Sequence, residues 1–113
     1  MPKTNASFMS GVPELLVLRL LSEREMYGYE LVKAIKLSTQ DSIHLAEGVV
    51  YPTLHSLEAR GMLRAKEVSG SGRARVYYRT TAKGRKQLQS LTKEWDRVSG
   101  GINAVLGERY ASH

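Results

Sequence analysis

Residues 47–80 restrict the fold more tightly than any other part of this chain. Glu47 to Arg60 places Val50, Leu54 and Leu57 at i, i+4 and i+7, the apolar stripe of a helix, and Gly61 follows where helices commonly end on a left-handed residue. Pro52 would break a helix interior, so regular helix is expected to begin close to Val49. Met62–Val68 and Arg75–Thr80 then read as strands. In the second, Val76 and Tyr78 alternate with Tyr77 and Arg79, the period of a half-buried strand. Ser69-Gly70-Ser71-Gly72-Arg73 between them reads as a flexible glycine-rich turn.

Two helices precede this unit. Val12–Arg24 carries Leu15, Leu16, Val17, Leu18, Leu20 and Leu21. Its polar residues leave only a narrow wet face, so it should be buried on more than one side. Ser10 is the expected N-cap, and Pro13 falls in the first turn, where its missing N–H does no harm. Tyr27 to about Ser38 repeats Leu31, Val32 and Ile35 at helical spacing, and Thr39–His44 is polar and irregular. Three helices followed by a hairpin is the order of a winged helix-turn-helix. Ala82 to about Arg109 is helical again, with Leu88, Leu91, Trp95, Val98, Ile102 and Val105 spaced 3-4-3-4-3, the seam of a helix that packs along another helix. Gly100-Gly101 is expected to kink or loosen it. The expected fold is therefore mainly α with a small β-hairpin. Residues 1–81 form the winged helix-turn-helix head and residues 82–113 a long C-terminal dimerisation helix, within one structural unit of 113 residues.

Charge is distributed unevenly. Up to Ala59 there are five basic and seven acidic residues; from Arg60 to Lys86 nine basic residues face Glu67 alone; from Gln87 onward three meet three. The net +6 is thus the sum of −2, +8 and 0, and the excess lies on the hairpin and its flanks. Clustered positive charge is the footprint expected of phosphate binding, with double-stranded DNA as the expected partner and a solvated basic face as the alternative. In such a module the third helix enters the major groove. With Val50, Leu54 and Leu57 inward, its outward set is Val49, Thr53, His55, Ser56 and Arg60. His55 and Ser56 suit bases or phosphates, and Arg60, at the helix end, suits a phosphate. Tyr51 reads equally as a phosphate donor or as a packed amphipathic residue, and Pro52 and Tyr29 complete the helical candidates. On the hairpin the candidates are Lys66, Gly72, Arg73, Arg75 and Tyr77. Glycine beside arginine lets main chain approach the phosphates or the narrow minor groove. The expected dimer interface is Leu15 and Leu18 of the first helix with Leu88, Leu91, Trp95, Val98, Ile102 and Val105 of the last.

Three segments in order resemble the PadR family of regulators: Met26-Tyr27-Gly28-Tyr29-Glu30-Leu31; Gly48-Val49-Val50-Tyr51-Pro52-Thr53-Leu54 with Leu57-Glu58 and Gly61-Met62-Leu63; and Arg73 through Gly84. The likeness runs from about Val12 to Leu106 and fits the short members with a single C-terminal helix. It implies a dimeric repressor of transcription. Two positions depart from the family pattern: Val49 stands where a small hydroxyl residue is common, and Ala46 where a capping residue often precedes the third helix. Glu47 would compensate through the helix dipole. Glu94-Trp95-Asp96-Arg97-Val98 resembles a segment of the short members that bind planar aromatic drugs between subunits. This implies Trp95 and Val98 as ligand-binding candidates, the alternative being that Trp95 only fills the dimer seam.

Other function classes find little footing. His44, His55 and His113 lack metal-ligand spacing, there is no cysteine, and no nucleophile elbow, phosphate loop or paired-carboxylate site stands out. No enzyme, cofactor or metal is expected. Met1–Ser7 is polar, no run approaches the roughly 18 apolar residues of a bilayer span, and the cytosol is the expected compartment. The rival readings are a winged helix that binds protein and a small-molecule-binding module for which DNA is irrelevant. The +8 block weighs against the first.

Overall fold

A computed structural model describes residues 11–70 and 72–111, with side chains to Gly107; the Ser10 cap, the polar start and Ser71 of the turn lie outside the described residues. The order is α1 (Val12–Glu23), β1 (Met26–Tyr27), α2 (Gly28–Ser38), α3 (Glu47–Ala59), β2 (Leu63–Gly70), β3 (Arg73–Thr80) and α4 (Ala82–Ala111). Three helices pack around Val17, Leu18, Leu21, Leu31, Ile35, Val50, Leu54 and Leu57. The sheet, in order β1-β3-β2, closes one side of this core with Met26, Leu63 and Tyr78. The periodic apolar residues of all three helices thus meet in one core, as their spacing requires.

The connections position the elements precisely enough to name their bonds. Gly61 adopts φ +77°, and its N–H donates to the Glu58 carbonyl while that of Met62 donates to the Leu57 carbonyl, both at 2.9 Å. This is the paired hydrogen-bond pattern that ends a helix on a left-handed residue. The segment after α2 is irregular, as its composition led us to expect, and it is tied down by side-chain hydrogen bonds. Thr39 Oγ1 donates to the Ile35 carbonyl at 2.7 Å and accepts the Ile43 N–H at 3.1 Å, while Gln40 and Asp41 take positive φ. At the other end of α2, the Glu30 carboxylate accepts the Tyr27 N–H at 3.2 Å, one arm of a capping box.

Four expectations are corrected. α3 begins at Glu47, and Pro52 sits within it. A proline there removes only the N–H that would reach the Gly48 carbonyl, and Gly48 is solvent-exposed, so that carbonyl can turn to water. The hairpin pairs as far as Gly70↔Arg73, so the turn is tight, with Gly72 at φ +75°. α4 runs through Gly100 and Gly101 without interruption. β1 is a third strand that the alternation did not reveal; it pairs Met26 with Tyr78 and Tyr27 with Tyr77.

α4 is docked by a close backbone approach. A Cβ at Gly84 would collide with the Met62 carbonyl oxygen and lie 2.7 Å from Thr80 Cγ2. Glycine to alanine in a helix ordinarily stabilises by up to about 1 kcal/mol. Here Gly84→Ala should instead cost about 1–3 kcal/mol through overpacking, lowering the thermal midpoint by roughly 4–8 °C per kcal/mol. A melt unchanged or raised by the substitution would show that the junction is loose. Nearby, buried Thr80 donates through Oγ1 to the Leu18 carbonyl at 2.9 Å, tying β3 to α1.

Candidate nucleic-acid interface

α3 is rotated so that Val50, Leu54 and Leu57 are fully buried. At 100° per residue the opposite ridge is Gly48, Pro52, His55 and Ala59, with Val49 and Ser56 beside it, and all six are exposed. Gly48 and Ala59 were missing from the sequence-derived set, because a scan for hydrogen-bonding side chains passes over residues that offer only close main-chain approach. Thr53 is turned half inward, and its hydroxyl donates to the Val49 carbonyl at 2.8 Å. A shallow groove lined by Gly11, Pro13, Glu14, Pro52, Thr53, Ser56 and Arg60 separates this ridge from the start of α1.

Three proposed positions find other employment. Arg60 does not project freely from the end of α3. Its guanidinium folds back onto Glu14 of α1, with Nη2 to Oε2 at 3.0 Å and Nη1 to Oε1 at 3.4 Å, and Gln87 of α4 donates to the same carboxylate at 3.2 Å. Glu14 thereby links three helices, a role invisible in sequence because its partners lie 46 and 73 residues away. Tyr51 is half-buried, and its ring lies 2.5 Å from where a Cβ on Gly28 would stand, so the packed alternative describes its ring. Leu18 has no exposed surface at all and belongs to the core of the chain itself, so it has no face to offer a partner. Leu15 is half-buried.

The hairpin presents Lys66, Gly72, Arg73 and Arg75 to solvent, while Tyr77 is half-buried. Arg75 is held: its guanidinium carbon lies 4.5 Å from the centre of the Tyr27 ring, which meets Tyr77 edge-on at 5.4 Å. Tyr29 is half-exposed at the start of α2, with the Lys33 ammonium 5.3 Å from its ring centre. Burial, then the charge of Glu58, pushes the Tyr78 hydroxyl above its ordinary range, in keeping with its place under the sheet.

The seam on α4 splits in two. Leu88 and Leu91 pack on the head, whereas Trp95, Val98, Ile102 and Val105 are exposed, and Leu106, absent from the expected seam, is 50 % exposed beside them. Arg97, Val98, Gly101, Ile102, Val105 and Leu106 line an open groove there. Among the described residues no cluster of His, Cys, Asp or Glu could hold a metal, and no helix is long and apolar enough to cross a membrane.

Several proteins similar to this chain are regulators of transcription. The chain is 34 % identical over 103 residues to an uncharacterised protein of Lysinibacillus sphaericus, covering 89 % of this chain and 94 % of that one. It is 33 % identical over 107 residues to a transcriptional regulator of Mycobacterium tuberculosis, with 88 % and 94 % covered. Among solved structures, a transcriptional regulator from Clostridium thermocellum superposes with a TM-score of 0.82 at 28 % identity, covering 89 % of this chain and 96 % of that one. A PadR-like regulator from Bacillus cereus superposes with 0.75 at 31 %, covering 88 % and 96 %. The model of the transcriptional regulator PadR-like family matches residues 17–90, from the core of α1 to the start of α4. The chain belongs to the PadR-like family of transcriptional regulators, DNA-binding proteins built on a winged helix.

Proposed function

We propose that the protein is a homodimeric repressor that occludes a promoter by setting two α3 helices into successive major grooves, about 34 Å apart on an inverted repeat. The observation that carries this reading is the placement of an exposed α3 ridge beside an exposed basic hairpin, on a head whose long α4 leaves an apolar stripe uncovered. Residues 11–81 act as the reading head and α4 as the dimerisation element. Gly101, which lines the groove of this stripe with Val98, Ile102 and Val105 and whose Cβ would meet no other element within 4 Å, gives the stripe a flat flank against which a second helix can lie close. A planar aromatic effector stacking on Trp95, with Val98 beneath, would release DNA only by favouring a dimer whose heads are spaced wrongly for the operator.

Within this reading His55 and Ser56 touch base edges, and Arg60 contributes through its tie to Glu14. His55→Ala or Ser56→Ala should change the ranking of operator variants, by roughly 1–3 kcal/mol where a base contact is lost. Competition gel shifts that rank the variants identically before and after substitution would remove these residues from base reading. The reading as a whole is tested by a gel shift on DNA from upstream of the protein's own coding sequence at two salt concentrations. Binding should be specific and weaken steeply with salt; absence of binding at low salt would favour a protein- or small-molecule-binding module.

A further inference from the structure

Side-chain alternation sorts the charges of the sheet onto one side. Directly paired residues share a face, so Leu63↔Thr80 and Ala65↔Tyr78 turn to the core together with Glu67↔Val76 farther out. The outer face carries Arg64↔Arg79, Lys66↔Tyr77, Val68↔Arg75 and Gly70↔Arg73, and β1 adds Tyr27 opposite Tyr77. Every cation of β2 and β3 therefore lies on the outer face, and the one acid of these strands, Glu67, lies on the other.

Four features distinguish this face from ordinary solvated charge. Arg64 and Arg79 stand directly opposite each other, a like-charge pairing that opposes sheet formation. Neither is neutralised: the ion pairs among the described residues are Arg19–Glu23, Arg60–Glu14 and Arg97–Glu94, all off the sheet. At the base of the strands Arg64 and Arg79 line a groove with Thr81 and with Arg85 of α4, so the positive surface turns the corner onto the helix. Midway, Arg75 is fixed by Tyr27 rather than left to sweep solvent. A repulsion built into the sheet and left without a counter-charge among the described residues is one that a polyanion would relieve.

We propose that the whole outer face of the sheet, and not its tip alone, is a DNA-contacting surface, along which the duplex backbone flanking each half-site runs from Arg73 to the Arg64–Arg79–Arg85 groove. The proposal rests on the reading of the hairpin as a DNA-binding wing. From the Gly70↔Arg73 pair to the Arg64↔Arg79 pair is six residue steps on each strand. At about 3.3 Å per residue that is ~20 Å, enough to follow several phosphates of a strand that repeats every ~3.4 Å along the duplex axis.

The experiment is the dependence of log Kd on log salt for a duplex from upstream of the protein's own coding sequence. Two lost phosphate contacts in the Arg64→Ala/Arg79→Ala variant should lower the slope by about 1.8, so that raising salt from roughly 50 to 200 mM costs it about twelvefold less affinity than the parent. Arg64→Lys/Arg79→Lys should keep the parent slope, and Arg85→Ala, which leaves the sheet untouched, should lower it by about 0.9. Removing the opposed arginines should leave the thermal midpoint unchanged or raised. As a control for net charge, Arg19→Ala/Lys93→Ala should leave the slope alone. An unchanged slope in both the sheet variant and Arg85→Ala, or an equal fall in the control, overturns the proposal. If Arg73→Ala/Arg75→Ala lowers the slope while those variants do not, contact ends at the tip and the wing reading survives; if none lowers it, the wing reading falls as well.

Discussion

Arg73→Ala combined with Arg75→Ala is expected to weaken binding to every DNA sequence, by about a hundredfold, while leaving the order of preference among operators intact. Both side chains are exposed, and neither is paired with a carboxylate among the described residues. They flank different surroundings: Arg73 follows Gly72 at the tip, where a Cβ on the glycine would meet nothing within 4 Å, and Arg75 lies over the Tyr27 ring. A hydrogen bond to a charged group contributes about 1.5–3 kcal/mol, so losing two at the low end gives roughly 3 kcal/mol, or about two powers of ten. The salt slope should fall by about 1.8. Because phosphate contacts carry no sequence information, the loss should be uniform. Titrations at several salt concentrations, on an operator and on an unrelated duplex, read all three quantities. Equal affinity and slope in parent and double variant would exclude the hairpin from the interface, whereas a loss confined to one sequence would make these arginines base readers.

The parts of this molecule that sequence made visible are those whose signal is local and repeated. Val50, Leu54 and Leu57 recur at helical spacing and are all fully buried, and Gly61 ends α3 in the left-handed conformation its type suggests. The missed features depend on contacts between distant segments. β1 has two residues, too few for a period, and exists because Met26 and Tyr27 find partners fifty residues downstream. The fate of Arg60 was set by Glu14, and that of Tyr51 by the absence of a side chain at Gly28. Pro52 and the Gly100-Gly101 pair misled in the opposite direction, since propensity rules describe a helix interior in isolation. α3 gives up one hydrogen bond near its exposed start, and α4 is long enough to carry adjacent glycines in its interior. For the interface, the chemistry of the outward residues could be listed from sequence, but the division of hairpin charges between two faces required the register.

Val98→Asp should convert the protein to a monomer without unfolding it. Val98 is already 39 % exposed in the single chain, as are Ile102 at 50 % and Val105 at 61 %, so a carboxylate there meets water until a partner covers it. The head's own core ends at Leu88 and Leu91 and does not depend on this part of α4. Pairing two such helices would bury an unpaired charge from each subunit, at a cost of several kcal/mol, enough to shift a micromolar dimer far toward monomer. Circular dichroism should then show a folded protein, sedimentation equilibrium should show a monomer, and operator binding should collapse because paired half-sites need paired heads. Trp95→Ala separates structure from ligand binding at the same seam. If Trp95, 52 % exposed in the single chain, only fills the seam, its removal weakens the dimer and leaves the response to planar aromatics as it was. If it is a stacking platform, the dimer persists and such compounds no longer bind. A parent protein that sediments as a monomer at micromolar concentration, or a Val98→Asp variant that remains dimeric, would show that α4 does not pair the subunits.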